Sequence, residues 1–282
     1  VDRVTDNLSA SLLRLSQIPK VVLLAHDMHD YSFVRKAAPL YTKESIDGKE
    51  VIVCRPDMRT TIFKTMIVKH FNKYQFRHLI SIYDCPEYTN LRGILTQNSV
   101  VDNYYQINHV IPHGIFRPEA SEKIYDVISY GATGHQYYRL GTIIKNVCEG
   151  LGIRYRGITS SEGIREESLT LVINQSWMAI CCSSNYSYMV RRYLEISACN
   201  SVVLADTNPQ TWSVLGNNMV YVTIDDSEDV IGEKIKYYLQ HKEILTCLSS
   251  RSIDSVANES YSTHAKRLTE ISDHILHGEP TD

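Results

Sequence analysis

Between Ser184 and Pro209 the chain concentrates residues able to bind a charged ligand. Arg191, Arg192 and Glu195 follow the polar segment Ser184-Asn-Tyr-Ser-Tyr188 and precede the apolar run Val202-Val-Leu-Ala205. A short apolar run bounded by turn residues reads as a strand buried on both faces of a parallel sheet, and the charged segment before it as a short helix. Asp206, Thr207 and Asn208 then fall at the strand's carboxyl end, where open α/β sheets bind ligands. The competing reading is a surface helix with solvated charges. A second polar cluster, His26-Asp27-Met28-His29-Asp30-Tyr31, follows the apolar run Lys20–Ala25. A metal site there needs further ligands at suitable spacing, and none stands out. A substrate-facing loop fits better, and Asp84, in Asp84-Cys-Pro-Glu87, has the same relation to the run Leu79–Tyr83.

The elements that must position these groups alternate between strand and helix. Strands are expected at 20–25, 50–54, 79–83 and 107–111, with helices at 5–16, 58–74 and 91–97. The segment Pro112-His113-Gly114-Ile115-Phe116-Arg117-Pro118 has the composition of a domain connection. Alternation then restarts: strand 125–130, the turn Gly131-Ala-Thr-Gly-His-Gln136, helix 137–151, strand 153–156, helix 169–175 and strand 178–182. The Arg191 helix, the Val202 strand and a strand at 219–222 follow. Three helices, at 226–240, 242–257 and 260–277, close the series. The pattern predicts α/β architecture with two Rossmann-like domains, 1–113 and 114–282, facing across a cleft that is the default site.

Composition, with 43% hydrophobic and 22% charged residues, is that of a water-soluble globular protein. A net charge of -3 leaves no nucleic-acid footprint. No apolar run reaches the length of a membrane span. The seven cysteines form no CxxC pair and no metal-type spacing with histidine, so reduced, buried thiols and a cytoplasmic setting are expected.

In order, Pro112-His-Gly-Ile-Phe-Arg-Pro118, Tyr125-Asp-Val-Ile-Ser-Tyr-Gly131, Arg192-Tyr-Leu-Glu-Ile-Ser-Ala-Cys199 and Val202-Val-Leu-Ala-Asp-Thr-Asn-Pro209 resemble GT-B glycosyltransferases of the group 1 and spore-maturation type. The resemblance covers roughly residues 109–270, with Tyr261, His264 and Arg267 fitting a late family pattern loosely. It implies a GT-B fold with a helical tail, an amino-terminal acceptor domain and a carboxyl-terminal nucleotide-sugar domain. Glu195 then matches the glutamate that binds the donor ribose, where a carboxylate accepts charge-assisted hydrogen bonds from vicinal hydroxyls. Arg192 matches the basic position that meets the diphosphate. Arg191, about 100° away on a helix, would face elsewhere unless both reach the donor. Gly131, Thr133 and Gly134 match the glycine-containing loop whose amides approach phosphate. Arg139 could add a second phosphate charge, Tyr186 and Ser187 lie where loop contacts to the diphosphate fall, and His113 could touch the donor sugar.

The implied reaction moves a sugar from a nucleoside-diphosphate sugar to a glycan or other hydroxyl acceptor, with no cofactor or bound metal. UDP is the commonest such nucleotide. The base would come from the amino-terminal domain: Asp27 first, with His26, His29, Asp30 and Asp84 as competitors. Two positions depart from the family pattern. Asn200 stands where the turn has Gly, though it tolerates the same backbone conformation. Ser187 stands where retaining relatives carry a second Glu, which favours inversion. The rival readings are a non-catalytic glycan- or nucleotide-binding module on this scaffold and a GT-B nucleotide-sugar epimerase.

Overall fold

The computed structural model describes residues 22–25, 41–46, 49–54, 77–82, 102–131, 138–183 and 189–277, the first three stretches as backbone alone. The expected helices at 5–16, 58–74 and 91–97 lie outside them. The chain divides into two compact units, 1–108 with 268–282, and 109–267.

In the first unit, β1 (Val22–Ala25), β4 (His78–Ser81) and β5 (Asn103–Gln106) form a parallel sheet in the order β1-β4-β5. Two expectations are corrected here. The run 50–54 is not a strand of that sheet: β2 (Tyr41–Ile46) and β3 (Lys49–Cys54) pair with each other, antiparallel. The dipeptide between them, Asp47-Gly48, is the strongest short-range signal for a hairpin, and it outweighs βαβ alternation. The strand expected at 107–111 is at Asn103–Gln106 instead, where two tyrosines supply β-propensity. Ile107 donates its N–H to Ser81 at 3.0 Å, and Ile111 makes an isolated bridge to Ser260.

The second unit carries the full alternation. Its strands are β6 (Tyr125–Tyr130), β7 (Tyr155–Ile158), β8 (Ser176–Ile180), β9 (Val202–Ala205) and β10 (Val220–Tyr221), all parallel in the order β10-β9-β8-β6-β7. The helices are α1 (Arg139–Gly150), α2 (Glu166–Asn174), α3 (Arg191–Ser197), α4 (Pro209–Leu215), α5 (Glu228–Gln240), α6 (Lys242–Val256) and α7 (Tyr261–His277). Helix α4 was not anticipated, although Asn208-Pro209 signals its start: Asn208 Oδ1 accepts from the Thr211 N–H at 2.9 Å, and Pro209 lacks the N–H that a first turn leaves unpaired. Residues up to 267 of α7 cluster with the second unit and those from 268 with the first.

Strand residues alternate between two cores. Ile128, Tyr130, Ala179, Cys181, Val203 and Ala205 pack towards α2 and α3, while Val127, Met178, Ile180, Val202 and Leu204 pack towards α1 and α5. Cys148, Cys181, Cys182 and Cys199 are buried and unpaired, and burial pushes the Cys148 and Cys199 thiols up to about 12, which leaves them inert.

One buried amide ties the unit together. Asn174, fully buried, accepts at Oδ1 from the N–H groups of Glu119 (3.0 Å) and Asn200 (2.9 Å). Its Nδ2 donates to the carbonyls of Arg117 (3.0 Å) and Thr170 (2.9 Å). Its hydrogen-bonding capacity is thus filled, and removing it orphans the N–H groups of Glu119 and Asn200 and the Arg117 carbonyl, while the Thr170 carbonyl keeps its helical partner. Asn174→Leu should lower stability by about 3 kcal/mol in urea unfolding, and a loss below ~1 kcal/mol would show that water replaces these bonds.

Candidate functional site

The chain leaves β6 for β7 on one side and returns to place β8 on the other. The switch point of this sheet therefore lies between the carboxyl ends of β6 and β8, where a crevice for ligand forms in open α/β sheets. Gly131 follows β6 there, and Cys181–Ser183 follow β8.

Helix α3 is short and enclosed. Tyr193, Leu194, Glu195, Ile196 and Ser197 are consecutive buried residues, so its polar groups are not turned to solvent. Arg192 and Glu195, three apart, share a face. Both reach the last residue of β6. Arg192 Nη1 donates to the Tyr130 carbonyl at 2.7 Å, and the Tyr130 hydroxyl donates to Glu195 Oε2 at 3.0 Å. The Arg192 guanidinium lies 5.1 Å from the centre of the Tyr138 ring and packs under Gly131, where an added Cβ would sit 3.4 Å from Nη1. Gly131 has φ +72°, a conformation open to glycine, so this position is doubly constrained.

Arg191 diverges from Arg192. Its Nη2 donates to Glu166 Oε1 at 2.9 Å, and its guanidinium carbon is 5.7 Å from the centre of the buried Phe116 ring. Nε is 2.8 Å from Glu195 Oε1, but its N–H is not aimed at that oxygen, so the contact is an ion pair without a well-directed hydrogen bond. Burial raises the Glu195 carboxyl above its usual range. Arg191, the Tyr130 hydroxyl and Arg192 pull it back only in part. A carboxylate offers about four acceptor positions, and among the described residues Glu195 accepts one directed hydrogen bond, from Tyr130, beside the Arg191 ion pair.

A second cluster closes the carboxyl ends of β8 and β9. Asp206 Oδ1 accepts from the Ser183 N–H and from the Tyr193 hydroxyl, each at 2.7 Å, and Oδ2 accepts from the Ser183 hydroxyl. Burial raises this carboxyl too, against the pull of Ser183 and Tyr193. Asp206 thereby links β9, the residue after which the β8–α3 connection begins its polar run, and α3.

The remaining candidates are placed as follows. Arg139 is exposed as the first residue of α1, whose first turn carries no acidic residue and no side-chain cap. His113 lies on the turn in which the Ile115 and Phe116 N–H groups donate to the Pro112 carbonyl, and its buried Nε2 has no hydrogen-bond partner among the described residues. His26, Asp27, His29, Asp30, Asp84, Thr133, Gly134, Tyr186 and Ser187 lie outside the described residues. The structure thus brings Glu195, Arg192, Arg191 and Gly131 together. Sequence reading had no role for Tyr130, Tyr193, Ser183 or Glu166; their signal is position at strand ends or on neighbouring helices, which becomes legible once strand order is known. Among the described residues no group of three or more His, Cys, Asp or Glu side chains could hold a metal ion. Nor is any helix there long and apolar enough to cross a membrane.

No protein-family model and no curated protein matches the sequence. Solved structures do. Similarity to sucrose-phosphate synthase from Thermosynechococcus elongatus covers 96% of this chain and 72% of that one, at 13% identity and a TM-score of 0.61. Similarity to TarM covers 94% and 58% (11% identity, TM-score 0.56), so this chain spans little more than half of that protein. For Anabaena HepE in complex with UDP and glucose, the coverage is 74% and 80% (11% identity, TM-score 0.52). Identities this low establish the fold: it is that of GT-B glycosyltransferases.

The electrostatics of the site make a stability prediction. A carboxyl whose folded-state pKa is raised stabilises the protein below its unfolded value, and that contribution disappears as pH rises through the folded value. Glu195→Gln removes the buried charge and keeps an acceptor for Tyr130. The ligand-free variant should therefore melt higher than the parent in alkaline buffer, with the gain shrinking in mildly acidic buffer. A lower melting temperature at alkaline pH would mean that Arg191 and Tyr130 more than offset the burial of Glu195.

Proposed function

We propose that this protein is a glycosyltransferase that moves a sugar from a UDP-sugar to a glycan or other hydroxyl acceptor. The observation that carries the reading is the convergence of Glu195 and Arg192 on Tyr130 at the sheet's switch point. A carboxylate held there at an electrostatic cost, with acceptor positions to spare, suits a ligand presenting paired hydroxyls, as a ribose does. Arg192, against the Gly131 turn, is suited to a diphosphate. Arg139 adds to this: a cation at a helix amino end is unfavourable for the helix itself, whereas amide groups and guanidinium together favour a phosphate. Thr133, Gly134, Tyr186 and Ser187 complete the donor contacts in this reading, with His113 reaching the sugar. UDP as the nucleotide draws support from the UDP held in the Anabaena HepE structure.

As the bond to the sugar breaks, negative charge grows on the departing diphosphate. Arg192, Arg139 and the amino end of α1 offset it; preorganised charge of this kind is commonly the largest catalytic contribution. The acceptor hydroxyl loses its proton to Asp27, with His26 and Asp84 as competitors; in sequence these follow the neighbouring parallel strands β1 and β4. Attack from the face opposite the leaving group inverts the anomeric centre, and the charge is handled without a bound metal. Four buried, unpaired cysteines support a reducing, cytoplasmic setting.

Calorimetry with a panel of nucleoside diphosphates tests the donor site. UDP should bind, and Glu195→Gln should weaken it roughly tenfold, about 1.4 kcal/mol, without loss of fold. If no nucleoside diphosphate binds, or the variant binds as the parent does, the donor assignment is wrong. UDP release from UDP-sugars that requires an acceptor separates transfer from epimerisation, and binding without release would instead mark a binding module.

A further inference from the structure

The opposite edge of the same sheet carries a pocket that the donor site does not use. It lies at the amino ends of β6, β8 and β9, has a volume of about 230 Å³, and is lined by Ser121, Lys123, Trp177, Asn200, Leu245 and Ser249, with Thr246 beside them. Lys123 Nζ donates to the carbonyls of Ser176, at 2.7 Å, and Asn200. It also lies 5.5 Å from the centre of the Trp177 ring, and Lys242 Nζ lies 5.3 Å from the same ring. Among the described residues no carboxylate pairs with Lys123, and burial pushes its ammonium down to about 8. Partly buried charges are ordinarily paired, because removing them from water is costly. Among the described residues the buried Ser121 hydroxyl has no hydrogen-bond partner, and the amide N–H groups of Asn200, whose Oδ1 accepts from Ser249 at 3.1 Å, show none either.

One cavity is thus bordered by a cation with no carboxylate partner and by Ser121 and Asn200, whose hydroxyl and amide N–H groups have no partner among the described residues. We propose that this pocket binds a compact oxyanion, a phosphate or a carboxylate, with Lys123 supplying the charge, Ser121 and Asn200 donating hydrogen bonds, and Trp177 forming a wall. The volume corresponds to about eight water molecules at ~30 Å³ each, which suits a small anion. The alternative is that Lys123 is purely a staple between the entries to β8 and β9. A staple needs no anion and leaves Ser121 without a role.

Trp212, the second tryptophan, is exposed on α4, so Trp212→Phe leaves Trp177 as the sole indole reporter. In that background, inorganic phosphate and acetate are titrated separately, with chloride at matched ionic strength as the control. Saturable change in Trp177 emission with either oxyanion, absent with chloride, is expected; which one saturates names the ligand class. Ser121→Ala should weaken binding several-fold and Lys123→Met about tenfold or more. The Ser121 hydroxyl bonds nothing among the described residues, so its variant decides the matter even if Lys123→Met unfolds. Failure of both anions to saturate, or an unchanged affinity in Ser121→Ala, overturns the proposal. UDP binding tests the other edge of the sheet, so either result stands without the other.

Discussion

The structure of the second unit turns on a buried carboxylate that must be held in place. Glu195 sits on a helix covered nearly all round, and its burial raises the free energy of the charged form. Tyr130 is the counterweight. Its hydroxyl donates to Glu195 while its carbonyl accepts from Arg192, so one residue at the end of β6 fixes two polar side chains of α3. That double contact sets the position of the helix against the sheet, and with it the geometry at the switch point.

A second buried carboxylate braces the same helix from β9. Asp206 holds Tyr193 of α3 and both donors of Ser183, so the connection entering α3 is gripped at its start and the helix in its middle. Both carboxyls are raised by burial. Neither is what a protein selected only for stability would place there, since an apolar group of similar volume avoids the desolvation cost.

The far end of α3 is held through the backbone that follows it. Asn200, shortly after the helix, gives its N–H to Asn174 and its carbonyl to Lys123. Asn174 in turn satisfies the connection at 117–119. The helix bearing the candidate donor residues is therefore clamped at both ends, by side chains at the carboxyl edge of the sheet and by amides and an ammonium at the amino edge. A rigid first turn is what preorganised binding of a diphosphate sugar would need.

Apart from α4, the succession of described strands and helices between Tyr125 and His277 was legible in the sequence because the signals are local: apolar runs, periodicity and turn residues act within one element. The hairpin at 41–54 and the α4 cap at Asn208 were equally local and were written in the dipeptides Asp47-Gly48 and Asn208-Pro209. Sequence also placed Glu195 and Arg192 at the correct edge of the sheet, since a helix that follows a parallel strand begins at that strand's carboxyl end. What it could not determine is which charges are solvated. Arg191 and Arg192 are adjacent and alike, yet one pairs with Glu166 and Glu195 and the other with the backbone of Tyr130, 62 residues away. Lys123 reads as an ordinary surface lysine until the turn at Asn200, 77 residues on, closes over it. Burial and pairing of charge depend on groups distant in the chain, and only tertiary packing brings them within reach.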